Sequence, residues 1–285
     1  MTCKHSIYSI VNVRLWIIAV TAWLGAAATA QYERPNWLKP GVQWPVEATT
    51  IELQNPADFA LRQHPVIIDL HELNRPNARH WVVTTADGVR LPAQADDLNR
   101  DGTKDELALL ADFEPGQSRR VFIYPFRSAD PPAMPLKKRV HARLALNGEV
   151  PKQEITAEDG DMYRQAQHHG PAWESELIAY RVYFDKKSTI DIYGKRTHQL
   201  ELELERTKWY TSSELRENGF GQDIVHVGAT LGVGSVRGWD GDAPVLMTPV
   251  ESRTARVLAD GPVRTVVEIA ANGWRSPSGK RNVTS

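Results

Sequence analysis

The chain has one cysteine in 285 residues, and it stands at Cys3, inside a segment read below as an export leader. A chain without cysteine after export has no disulfide frame, no thiol nucleophile and no thiolate metal cluster. An excess of one charge is missing too. With 34 basic against 35 acidic residues, the formal net charge is -1, so no global field draws the protein to nucleic acid or to an anionic membrane. Any anionic ligand must be held locally. Helical periodicity is absent from residue 31 onward, which excludes helix bundles and doubly wound sheets. There is no G-x-S-x-G and no H-E-x-x-H, and the glycine-rich "GVGSVRGWDG", 232–241, lacks the strand-to-helix setting of a phosphate cradle. No nucleotide or organic cofactor is expected.

What is present begins with the leader. Lys4 and Arg14 precede an apolar run from Leu15 to Gly25, and small residues at Ala28–Ala30 offer a cleavage site before Gln31. The run is shorter than the ~20 residues of a membrane span and no stop-transfer pattern follows. Residues 1–30 are read as a signal peptide, which predicts a periplasmic or secreted bacterial protein with no membrane attachment after cleavage.

Short alternating stretches dominate the rest: "TTIELQN", "PVIIDL", "HWVVTT", "VRLPAQ", "ELALLADF" and "RRVFIYPF", each bounded by Pro, Gly, Asn or Asp. Strands at that spacing predict an all-β fold, with a small N-terminal β-sandwich over 31–130. A proline-rich stretch then predicts a linker over 131–138. Beyond it "VHARLAL", "ELIAYRVYF", "TIDIYG", "HQLELELE", "HVGATLGVGSV" and "VRTVVEIAA" predict a wider sheet domain over 139–285. No closing strand follows "VRTVVEIAA", so the sheet is expected to continue past residue 285.

Within the first domain, "DDLNRDGTKDEL" sets Asp97, Asn99 and Asp101 at alternate positions, then Gly102 for a sharp turn and Asp105 beyond it. Ca²⁺ takes several oxygens at about 2.3–2.6 Å, and such spacing folds oxygens inward. A structural calcium loop between two strands is expected; the same residues also make a solvated Asx-rich turn without any ion.

In the second domain the run "QHHGPAWESELIAYRVYFDKKSTIDIYGKR", 167–196, sorts by period two. Ile178, Tyr180, Val182 and Phe184 share one face with Ile190 and Ile192; Ala179, Arg181, Tyr183 and Asp185 share the other with Asp191, Tyr193 and Lys195. A turn centred near Ser188 would set Asp185 against Asp191, Tyr183 against Tyr193 and Arg181 against Lys195. Like charges facing each other destabilise a sheet, so this face is read as a floor for an anionic ligand. Arg181 and Lys195 are its expected clamp, Trp173 and Tyr193 its sugar-facing aromatics. "HHGPAWE" is expected to be a loop over that floor. His168 and His169 are the leading proton-transfer candidates, with Tyr183 and Glu174 behind them. His226 is expected to be a core histidine, and Glu201, Glu203 and Glu205 a solvated strand face.

The same run resembles the bacterial DUF4861 family, and so do "LPAQADDLNRDGTKDEL", 91–107, and "LGVGSVRGWDGD" with "RVLADGPVRTVVEI", 231–242 and 256–269. The resemblance implies exported proteins found among enzymes that degrade uronic-acid polysaccharides such as pectins and ulvan. It also implies that the larger domain is a galactose-mutarotase-like β-supersandwich, and that family members extend beyond the point where this chain stops.

The expected partner is therefore an acidic oligosaccharide or polysaccharide. The expected reaction is β-elimination or dehydration at a uronate: Arg181 and Lys195 neutralise the carboxylate, and His169 or Tyr183 removes the acidified proton. A sugar epimerase or mutarotase, or a hydrolase using Glu174 with Glu176, is the alternative chemistry. A non-catalytic module stacking sugars on Trp173, Tyr183 and Tyr193 is the alternative class. Sequencing the exported protein should give an N-terminus at Gln31; an intact Met1 terminus would refute the leader.

Overall fold

The computed structural model describes residues 35–45, 47–75, 77–203 and 221–279; the expected leader, Glu205 and the last six residues lie outside them. Two compact units divide between Lys138 and Arg139. Both are built of antiparallel sheet, and no α-helix occurs among the described residues.

Among its described residues the first unit has seven strands: β1 (Thr49–Gln54), β2 (Leu61–Asp69), β3 (His80–Thr85), β4 (Arg90–Leu91), β5 (Ala93–Asp96), β6 (Glu106–Phe113) and β7 (Ser118–Phe126). They form two sheets, ordered β1-β7-β3-β4 and β2-β6-β5. Alternation explains the packing. Ile51, Leu53, Val83, Val121 and Ile123 of one sheet meet Val66, Ile68, Leu107, Leu109 and Phe113 of the other in a single apolar cluster. The two sheets therefore lie face to face.

Among its described residues the second unit has ten strands: β8 (Val140–Arg143), β9 (Glu154–Ala157), β10 (Ala172–Ser175), β11 (Ile178–Val182), β12 (Ile190–Gly194), β13 (Gln222–Asp223), β14 (Gly238–Asp240), β15 (Ala243–Val245), β16 (Ser252–Asp260) and β17 (Thr265–Asn272). A five-stranded sheet runs β13-β12-β11-β10-β8, a three-stranded one β17-β16-β9, and β14 pairs with β15. Ala142, Leu144, Val182 and Phe184 pack against Ile155, Ala255, Val257 and Ile269. The five-stranded sheet thus buries one face on the three-stranded sheet, and its other face carries the polar residues.

Period two sorted those faces as expected, but the register differs. Arg181 stands opposite Asp191, Ala179 opposite Tyr193 and Ile178 opposite Gly194. The expected pairings of Asp185 with Asp191, Tyr183 with Tyr193 and Arg181 with Lys195 do not form. The connection is wider than "DKKST": Ser188 adopts a left-handed φ of 45°, and Asp185 Oδ1 accepts the Lys187 N–H at 2.8 Å. Opposite charges, not like ones, end up facing each other.

Three further expectations are corrected. "AWES" is the strand β10, paired on both edges with β8 and β11, because Trp173 adds its ring to the apolar face. The described part of "HQLELELE" is not a strand, and Glu201 is fully buried: the Glu201 and Leu202 N–H groups turn inward onto Glu174 instead of pairing with a neighbour. Residues 224–236 form an irregular segment that meets β12 and the residue before it through two isolated bridges, Ile190 with Gly232 and Thr189 with Ser235, and through the Ile224 N–H on the Ile192 carbonyl, and His226 is exposed rather than a core residue. Its glycines make this possible. A Cβ at Gly232 would sit 2.2 Å from the Ile190 carbonyl oxygen.

Leu109 is wholly buried between the first unit's sheets. Leu109→Ala should destabilise that unit by about 2–5 kcal/mol, read as a lower urea midpoint; an unchanged midpoint would contradict the shared core.

Candidate functional site

An open cleft of about 650 Å³ lies in the second unit. One wall is the loop after β9, with Asp159, Asp161, Tyr163 and Arg164; another is the β11–β12 connection, with Tyr183, Asp185 and Lys187; a third is the end of β13 and the segment after it, with Asp223 and His226. The four aspartates share one local device. Each accepts a backbone N–H two residues ahead: Asp159 from Asp161, Asp161 from Tyr163, Asp185 from Lys187 and Asp223 from Val225, at 2.8–3.1 Å. These are Asx turns, so the aspartates shape the walls as well as charging them.

His169 stands beside this cleft. Its ring stacks on Tyr163, with centroids 4.2 Å apart and planes 4° from parallel, and lies 6.3 Å from the Tyr183 ring. Nδ1 is 2.9 Å from the Tyr163 carbonyl. A carbonyl only accepts, so Nδ1 donates, and in neutral imidazole the lone pair belongs to Nε2. Burial, and secondarily the Arg181 charge, hold the His169 pKa below the usual imidazole value, against the raising effect of the Tyr163 carbonyl. The backbone delivering it is strained: His168 and His169 both take left-handed φ, 61° and 60°, before Gly170. Such consecutive non-glycine residues cost of order 1–3 kcal/mol each and persist where surrounding structure holds them. Here the His169 carbonyl accepts the Phe184 N–H at 2.9 Å, and a Cβ at Gly170 would lie 2.1 Å from the Val182 oxygen.

Below the Tyr183 side lies a buried ionic cluster. Arg181 donates from Nε and Nη2 to Asp191 Oδ2, at 3.1 and 2.7 Å, and from Nη2 to the Tyr183 hydroxyl at 2.7 Å. The Tyr183 hydroxyl in turn donates to Asp191 at 3.0 Å. The guanidinium also sits 4.5 Å from the Tyr183 ring and 5.2 Å from the Tyr193 ring. Burial raises the Tyr183 pKa, and Asp191 adds to it while Arg181 opposes, so Tyr183 is a phenol and not a phenolate near neutrality.

The structure therefore brings His169 and Tyr183 together, with Arg181 behind them, and separates the other expected residues. His168 is buried; desolvation, helped by Arg143 and Arg181, lowers its pKa to about 3, so it stays neutral. Tyr193 is enclosed, and Trp173 is stacked on Tyr180 against the apolar core. Lys195 and Glu174 form a buried ion pair with each other. Glu176 pairs with Arg139 at 2.8 Å, so the two glutamates do not meet at one cleft. The clamp cations are thus occupied internally. Tyr163, Arg164 and Lys187 were not singled out by the sequence reading; "DGD" at 159–161 was a turn signal that could have placed that wall.

In the first unit the acidic loop closes on itself. Asp97 accepts the Gly102 N–H at 2.9 Å, Asn99 Oδ1 that of Asp101 at 2.8 Å, Asp101 that of Thr103 at 2.7 Å, and Asp105 takes Leu98 N–H and Asn99 Nδ2. Among the described residues no group of three or more His, Cys, Asp or Glu is arranged to hold a metal. As folded, these oxygens serve the turn.

Glu174 also accepts both the Glu201 and Leu202 N–H groups at 2.8 Å. Glu174→Ala should cost about 3–5 kcal/mol, since it strands a buried ammonium; a urea midpoint within error of wild type would contradict that pairing.

A search of curated proteins and of solved structures finds no significant match. A family model described as "Domain of unknown function (DUF4861)" matches residues 53–285, which spans the five-stranded sheet, the cleft and most of the first unit. The chain belongs to the DUF4861 family.

Proposed function

We propose that this is an exported enzyme acting on uronate-containing oligosaccharides, by β-elimination or dehydration at a uronate residue. The observation carrying the reading is a neutral imidazole and a protonated phenol side by side at a polar cleft: His169, its tautomer set by Tyr163, and Tyr183, its hydroxyl held by Arg181 and Asp191. Elimination needs that pair. A base takes the proton from the carbon next to the carboxylate, a C=C bond forms as the neighbouring C–O bond breaks, and the departing oxygen takes up a proton.

In this reading His169 Nε2 is the base, and Tyr183 turns its one hydroxyl proton from Asp191 to the substrate and gives it to the leaving alkoxide or hydroxide, the phenolate left behind being held by Arg181. Arg164 and Lys187, the cations lining the cleft, take the carboxylate in place of Arg181 and Lys195. Holding that carboxylate stabilises the enolate-like charge of the transition state. The Tyr163 ring, backed by His169, offers a sugar-stacking surface. That last feature also suits a non-catalytic sugar-binding protein, the second reading, which forms no product.

The test follows ultraviolet absorbance of the new C=C bond on uronate oligosaccharides. His169→Gln should lower kcat by about 10²–10⁴-fold. The rate of the wild type should fall with acid only below the ordinary imidazole range near pH 6.5, because His169 works as the free base and its pKa is depressed. Tyr183, with its pKa raised, should impose no alkaline fall below about pH 10. Saturable binding with no absorbance change on any uronic polymer would leave the binding reading instead.

A further inference from the structure

Among the described residues, four aspartates line the cleft against Arg164 and Lys187. That lining alone is net acidic and would repel a sugar carboxylate. The compensating charge lies behind the wall. Arg253, on β16, is one of the largest fully buried side chains, and its guanidinium reaches under the Asp159–Asp161 turn. Nη1 donates to the Gly160 carbonyl, between the two aspartates, and Nη2 to the Met247 carbonyl at 3.0 Å. Nε has no hydrogen-bond partner among the described residues.

A guanidinium keeps its charge at any ordinary pH, and burying it on neutral carbonyls is expensive unless carboxylates lie near. Asp185 and Asp161 are the carboxylates that favour its charged form, against the desolvation that opposes it. Both belong to the cleft wall. The turn is fitted to this arrangement: Gly160 takes a φ of 76°, and a Cβ there would sit 2.4 Å from Val250 Cγ2 and 3.2 Å from Arg253 Nη1. Arg181 plays the corresponding part for the third wall, with Nη2 3.8 Å from Asp223 Oδ2.

We propose that Arg253 is a positioning residue that sets the charge preference of the cleft: from behind the Asp159–Asp161 turn it offsets Asp161 and Asp185, so that a sugar carboxylate can be held at Arg164 and Lys187. The inference rests on the uronate reading above and names what makes an aspartate-lined cleft acceptable to that substrate class. Arg253 touches no substrate itself.

The experiment compares wild type, Arg253→Gln and Arg253→Lys in two measurements. Calorimetry gives Kd for a uronate disaccharide and for the same disaccharide with its carboxylates reduced to primary alcohols. Proton NMR compares how an anionic and a neutral nitroxide relax the backbone N–H groups of the cleft, with no sugar present. Arg253→Gln should weaken uronate binding by about tenfold or more, the size expected for removing one poorly screened charge. Binding of the reduced sugar should stay unchanged, and the anionic nitroxide should be more strongly excluded from the cleft than in the wild type. Arg253→Lys should keep the uronate preference even where it melts earlier, which covers the case of a Gln variant that does not fold. Equal losses for both sugars, a Lys variant that loses the preference, or an unchanged nitroxide relaxation overturn the proposal. If the wild type binds neither sugar, the uronate reading fails by itself. The nitroxide comparison then still decides whether Arg253 controls the charge of the wall.

Discussion

Charges removed from water on the outer face of the five-stranded sheet must be matched, and the pairing of Arg181 with Asp191 is the match on which the site is built. Asp191 is fully enclosed, and Arg181 nearly so. An uncompensated charge in such a place costs several kcal/mol, so the register of β11 against β12 that sets these two residues opposite each other is strongly favoured over a slip. The same pairing holds the Tyr183 hydroxyl between a cation and a carboxylate. The ionic pair thus fixes strand register and aims the phenol with one contact. Glu174 and Lys195 do comparable work further along the face, anchoring the backbone at Glu201 and Leu202.

This constraint also reassigns roles. An arginine already committed to a buried aspartate is a poor clamp for an incoming anion, and a lysine enclosed against Glu174 is a worse one. Among the described residues the cations that remain at the cleft are those on loops, Arg164 and Lys187. That division suits binding and chemistry, since loops carry the contacts while the paired strands keep the geometry. Strain is placed consistently with it. The left-handed pair His168 and His169 stands beside the cleft, and it delivers the imidazole to Tyr163.

Much of the fold was legible because alternation is a local signal. "HWVVTT" and "ELALLADF" are strands over the very residues that alternate, and the two faces of β11 and β12 separate as their sequence does. Register was not legible, since it depends on the turn, and the Asp185 cap with the left-handed Ser188 widens that turn beyond what composition suggests. The Leu-Glu alternation after His198 misled for a different reason. Period two marks a strand only when a partner edge is available, and here the backbone of Glu201 and Leu202 is taken by a side chain. His169 and Tyr183 were readable as titratable residues near one another in sequence. Tyr163 was not, because nothing in the residue pattern marks its ring as the one that stacks on His169; Arg253 was not, because it stands 93 residues along the chain from the Gly160 carbonyl it supports, and only three-dimensional packing sets it behind the cleft wall.

The most direct test of the account is a crystal structure of the protein with a non-reacting uronate disaccharide bound. The sugar should lie in the cleft, its carboxylate on Arg164 and Lys187, and the carbon beside that carboxylate within about 3.5 Å of His169 Nε2, a near-attack distance. A disaccharide seated elsewhere, or in the cleft with that carbon turned away from His169, would contradict it.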